Sequence, residues 1–178
     1  MLFRSSNTGG IHAVAVGYQA LAAGGVTYYN TAVGSSALAA AINDRNTAVG
    51  ASALVSNTTG AYNAALGMQA LQGNTTASYN TAVGYQAAYT NTTGPKITAV
   101  GYQAAKLLNN GGPNFGDTMV GYNSGASVST GIDNTFIGGQ AGGPTTTGSS
   151  NVAVGSAALY SNTIASNLTA IEIGRAHV

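Results

Sequence analysis

Cysteine is absent from this chain of 178 residues, and charged side chains make up only 5% of it, against about a quarter of an average soluble domain. Without thiols there are no disulfides and no thiolate zinc sites, and no redox compartment is implied. Net charge is +1. Arg4, Arg45, Lys96 and Lys106 are scattered singly ahead of the last few positions, so no basic patch marks a nucleic-acid or acidic-lipid partner. No run of about 18 apolar residues could span a membrane, and the opening MLFRSSNTGG lacks the apolar core of a secretory signal. The expectation is a chain with neither nucleic-acid binding nor membrane insertion, any export or anchoring device lying outside it.

Titratable groups are equally scarce. Apart from the last seven residues, His12 is the single histidine, and Asp44, Asp117 and Asp133 are the carboxylates. General acid–base chemistry wants two positioned titratable groups, and a metal site wants three or four convergent ligands. No serine sits in a G-x-S-x-G elbow. These shortages point away from an enzyme: no catalytic residue, no metal ligand and no cofactor is expected. Asp117 and Asp133 read as turn residues.

What the chain has in plenty is repetition. NTAVGYQAA at residues 80–88 returns as NTAVGSSAL (30–38), NTAVGASAL (46–54), NAALGMQAL (63–71) and NVAVGSAAL (151–159). Aligned on its glycine, the core recurs at Gly17, Gly34, Gly50, Gly67, Gly84, Gly101, Gly121, Gly138 and Gly155, mostly 17 residues apart. Such a period marks a solenoid, in which a coil that cannot bury its own apolar face stacks on its neighbours. The one longer step, 20 residues, holds KLLNNGGPNFG (106–116) and reads as an insertion that bulges without breaking the stack. Each coil is expected to hold two short strands and two turns, with Asn-Thr-Ala-Val as the first strand, Tyr-Gln-Ala-Leu as the second, and SNTTG or TNTTG between coils as turn formers. Parallel pairing of equivalent strands then gives a rod about 45 Å long.

Two coils reveal which positions share a cavity. The alanine two before the glycine becomes Met119 and then Phe136, and in those same coils the leucine four after the glycine becomes Gly125 and Gly142. A large residue enters where another leaves, as close packing of one interior space requires. If the alanines point inward, strand alternation turns the residue before each glycine outward: Val16, Val33, Val49, Leu66, Val83, Val100, Val120, Ile137 and Val154. An aliphatic column of that length asks to be covered, and sister chains packed about a common axis would cover it. This column is the expected oligomer stripe. Tyr18, Tyr85, Tyr102 and Tyr122 follow the repeat glycine, with Gln19, Gln86 and Gln103 beside them. They are candidates for contact with a receptor or glycan, because Tyr offers a broad amphipathic area at low entropic cost; packing on the next coil explains them as well. The Asn column (Asn30, Asn46, Asn63, Asn80, Asn134, Asn151) is expected to stack its amides between coils.

The Asn/Ser-x-Ala-Val/Ile/Leu-Gly core, seen in NTAVG, NAALG and NVAVG, resembles the head repeat of trimeric autotransporter adhesins and kindred repeats of phage tail fibres. The resemblance covers roughly residues 11–171. It implies an all-β, left-handed parallel β-roll of nine to ten coils, three chains side by side. The implied role is a stiff adhesive segment on a virion or cell surface, with a host-surface glycan or protein as its outside partner. The chain departs from adhesins in its longer Thr/Asn/Gly-rich turns and in lacking signal, heptad stalk and anchor. A rival reading comes from the Thr-x-Val ladder, which resembles the flat face of ice-binding solenoids and would qualify if exposed. Residues 1–10 read as a lead-in and 11–171 as the repeat domain. The tail EIGRAHV (172–178) breaks the pattern where a glycine is due; back-translated, it matches a common short-read sequencing adapter. The expectation is a non-native tail on a fragment of environmental DNA.

Overall fold

The computed structural model describes residues 12–23, 28–111 and 116–172. The lead-in, and the tail beyond Glu172, lie outside them. Ten three-residue strands follow one another among the described residues: β1 (Val14–Val16), β2 (Thr31–Val33), β3 (Thr47–Val49), β4 (Ala64–Leu66), β5 (Thr81–Val83), β6 (Thr98–Val100), β7 (Thr118–Val120), β8 (Thr135–Ile137), β9 (Val152–Val154) and β10 (Thr169–Ile171). They form one all-parallel sheet in chain order. The fold is an all-parallel β-solenoid, one strand per coil. Register holds across the insertion, where Thr98 pairs with Thr118, Ala99 with Met119 and Val100 with Val120.

Alternation along each strand decides what is inside. The central residue is fully buried from Ala32 to Ala153, Met119 and Phe136 included. Its two neighbours face outward. Opposite the strand, the residues three and four after each glycine close the core, among them Ala37 and Leu38, Ala53 and Leu54, and Ala70 and Leu71. The exchange of large for small is a direct steric fact: a Cβ on Gly125 would overlap the Met119 sulfur, and one on Gly142 would overlap the Phe136 ring. Two other coils carry alanine at both positions, Ala82 with Ala88 and Ala99 with Ala105; in the second of them Ile97 and Leu108 are buried in the places of asparagines, whereas the first keeps Asn80 and Asn91.

The second half of the coil differs from expectation, because it is not a strand. Residues two and four after the glycine, such as Gln86 (φ 53°) and Ala88 (φ 50°), adopt left-handed backbone, as do Gln69 (62°) and Leu71 (50°). Their N–H groups therefore reach opposite neighbours: Gln86 donates back to the Met68 carbonyl at 3.1 Å, and Ala88 forward to Ala104 at 2.9 Å. Among the described residues, twenty-five non-glycine residues have positive φ, a conformation rare for them. They persist because most of them leave their amides bonded to an adjacent coil.

The repeat glycine is fixed by two constraints together. Its φ lies between 130° and 138° from Gly17 to Gly138, a region open to glycine alone. A Cβ on Gly34 would also stand 2.5 Å from the Gly50 carbonyl oxygen. At Gly155, whose next-coil neighbour is Glu172, φ drops to 115°.

Candidate functional site

Two surfaces and one buried corner carry the polar chemistry. On the strand face, the first and third residues of each strand form two outward columns. One runs Val14, Thr31, Thr47, Ala64, Thr81, Thr98, Thr118, Thr135, Val152, Thr169; the other runs from Val16 through Ile137 and Val154 to Ile171. Neither column contains a charge or an amide. The nine aliphatic residues of the expected stripe all look outward, Leu66 at 42%, Ile137 at 41% and Val49 at 38% exposure, the others half-buried.

The column of side chains directly after the glycine is interrupted. Tyr85, Tyr102 and Tyr122 stack in one pile, ring centroids 5.4 Å apart at each step. Beside them the Gln amides link coil to coil, Gln86 to Gln69 at 2.9 Å and Gln103 to Gln86 at 2.8 Å. Tyr18 and Gln19 are not brought to this pile, since Ser35, Ala51 and Met68 occupy the intervening coils. Stacked on each other, these rings cover their own faces and turn edges and hydroxyls outward. A second aromatic column escaped sequence reasoning. Five residues before the glycine, Tyr62 stacks on Tyr79 at 5.1 Å and His12 on Tyr29 at 5.2 Å. The Arg45 guanidinium lies between Tyr29 and Tyr62, 5.8 and 5.3 Å from their centroids. Its signal was the recurring Tyr-Asn pair at 29–30, 62–63 and 79–80.

The buried corner belongs to asparagine. Most amides of the column bridge backbone: Asn46 Oδ1 accepts from the Asn63 N–H at 3.0 Å, while its Nδ2 donates to the Gly60 carbonyl at 2.9 Å. Asn63 Nδ2 also donates directly to Asn46 Oδ1 at 3.1 Å, and Asn80 Nδ2 has no partner among the described residues. Asn63, Asn134 and Asn151 repeat the scheme. The NTT segments, expected as plain turns, supply a second column. Asn57, Asn74 and Asn91 are fully buried, and each donates to a carbonyl three residues on. Burying so much polar surface is tolerable because nearly every group is bonded.

Asp117, expected at a turn, stands instead at 0% exposure within the first column. Its Oδ1 accepts from the Asn134 N–H at 2.9 Å, and Asn110 donates to its Oδ2. Burial pushes its pKa up to about 6, against the pull of those hydrogen bonds. Asp133 lies one coil on, exposed, and adds repulsion. Among the described residues no group of three or more His, Cys, Asp or Glu could hold a metal ion, and no helix is long and apolar enough to cross a membrane. Comparison with family models, with curated proteins and with solved structures finds no match to this chain.

Proposed function

We propose that this chain is a non-enzymatic scaffold whose working surface is the Thr/aliphatic strand face, and that in a single chain this face binds ice or ice-like ordered water. One observation carries the reading: ten strands in continuous register hold two outward columns free of charge. Neighbouring strands step by about 4.8 Å, and outward residues of one strand lie about 6.6 Å apart. Such a grid of hydroxyls and methyls approximates the oxygen repeats of an ice plane. The bonded Asn corner supports the reading by holding the grid rigid. The width of the face supports it too. Two columns over ten strands cover roughly 300 Å², an ordinary patch for a monomer and well below the ~800 Å² per partner of a standard interface.

Measuring thermal hysteresis and sedimentation on one preparation tests it. The expected result is a monomer with hysteresis that Thr98→Lys, at the centre of the grid, abolishes. A chain without hysteresis overturns it.

A second reading rests on the aliphatic column, where hydroxyls would suit water better. Three chains wound as left-handed rolls and covering Leu66 and Ile137 would make a segment of a phage tail fibre or adhesin head, outside the cell, facing a host glycan or protein. A trimer that Val83→Lys dissociates would favour this reading.

A further inference from the structure

On a different side of the coil from the strand face, a notch of about 240 Å³ opens among Asn123, Ala126, Gln140, Gly143, Pro144 and Tyr160. We infer that it is a subsite for a single uncharged pyranose sugar. The inference does not depend on what the Thr/aliphatic face does.

The notch exists because two columns fail there together. In the Gln column each amide donates toward the preceding coil, Gln86 to Gln69 and Gln103 to Gln86. By that polarity the donor due to Asn123 Oδ1 is the Gln140 amide. Asn is one methylene shorter than Gln, and this bond is not made: Asn123 Oδ1 is buried with no partner among the described residues. An acceptor left this way is destabilising unless a ligand donates to it. In the other column, five residues after the repeat glycine, Gly143 stands between Ala126 and Tyr160. A Cβ there would meet only the backbone of Gln140, the nearest atom 3.1 Å away. The gap between the two flanking side chains is therefore open.

The chemistry of the walls selects the ligand. The Tyr160 side chain is half-exposed and stacks on no other ring among the described residues. With Pro144 it offers a flat apolar wall, which suits the C–H face of a pyranose. Asn123 Oδ1, closed off from solvent in the free chain, turns toward the notch to take a hydroxyl hydrogen when the sugar binds, and the free Gln140 amide both donates and accepts at the rim. No lining residue is charged, which disfavours phosphate, carboxylate or ammonium groups. The volume admits one sugar ring and not a chain of them.

The test is NMR titration of the whole chain with methyl glycosides of glucose, galactose and N-acetylglucosamine. Saturable shifts confined to residues 123–127, 140–144 and 160, with millimolar affinity for at least one glycoside, are expected. Asn123→Gln is the decisive variant. Gln occupies the same backbone conformation at residues 86 and 103, so the chain should fold while the Gln140 amide reaches residue 123 and takes the acceptor from the sugar. Affinity should fall at least tenfold in Asn123→Gln and in Tyr160→Ala. No saturable shift with any of the three glycosides overturns the inference, and so does binding that survives either substitution.

Discussion

The coils on either side of the 20-residue step share one backbone and fill it differently. From β2 to β5 the interior is Ala on the strand and mainly Leu opposite, with asparagine throughout the first corner column and, from β3 to β5, in the second, where Ala41 stands in the β2 coil. In β7 and β8 Met119 and Phe136 fill from the strand side, glycines face them, and the second corner column becomes Val128 and Thr145. What does not vary is the repeat glycine and its N–H bond to the carbonyl before the preceding glycine, 2.7 Å from Gly34 to Gly138. The backbone is therefore the conserved quantity between the two regions, and side chains are interchangeable provided the volume of a coil is met.

The largest effect should come from attacking that shared element. Gly84→Ala and Gly138→Ala place a methyl against the carbonyl of the next coil at φ 130° and 137°. Each should cost roughly 4 kcal/mol or more, equally on both sides of the step, measured by urea unfolding and by hydrogen exchange in the flanking coils. A cost confined to one region would break the equivalence. Next comes the filling. Phe136→Ala should lose about 3–5 kcal/mol, and adding Gly142→Leu should recover most of it, because residue 142 (φ 57°) already has the backbone of Leu54 (52°) and Leu71 (50°). Failure of the second change to rescue the first would mean that the two regions are not alternative packings of one coil.

Asp117 sharpens the comparison through pH. Its folded pKa, about 6, lies above the ordinary 3.8, so the folded state holds the proton more tightly. Stability is then highest below about pH 4, declines as pH rises from 4 to 6, and is flat above, the whole loss being about 3 kcal/mol. Asp117→Asn should remove this dependence and stabilise the chain near pH 7 by a comparable amount, read from thermal melts across the range. The smallest effect belongs to the surface pile: Tyr62→Ala should cost about 1 kcal/mol or less, with no counterpart beyond the step, where Asp133 and Ser150 replace the aromatic residues.

The period, the coil count and the inward alanines were legible because volume and alternation leave direct marks on sequence: Met119 with Gly125 and Phe136 with Gly142 report a shared space wherever they are found. The second half of the coil was not legible. Gln86, Ala88 and Leu71 have no preference for positive φ, and only bonds to neighbouring coils hold them there, so local propensity suggested a strand. Asn57 and Asn74 were hidden for a related reason, since an NTT segment reads as a solvated turn until stacking buries it. Asp117 looked like a turn residue because nothing in its neighbours' identities announces that its position is sealed. Of the candidate contact residues, the spacing that joins Tyr85, Tyr102 and Tyr122 was visible, whereas their mutual stacking depends on the distance between coils.

The asparagine corner has a direction, and this shapes how such a chain tolerates change. Each Oδ1 asks the following coil only for a backbone N–H, which any residue except proline supplies: Ile97 answers Asn80 at 2.8 Å, and Leu168 answers Asn151 at 2.9 Å. A unit without asparagine thus still completes the link behind it, and only the unit ahead goes unserved. Whole units can in consequence be duplicated, deleted or shuffled by recombination at modest energetic penalty, so the length of the rod is a freely adjustable trait of its gene.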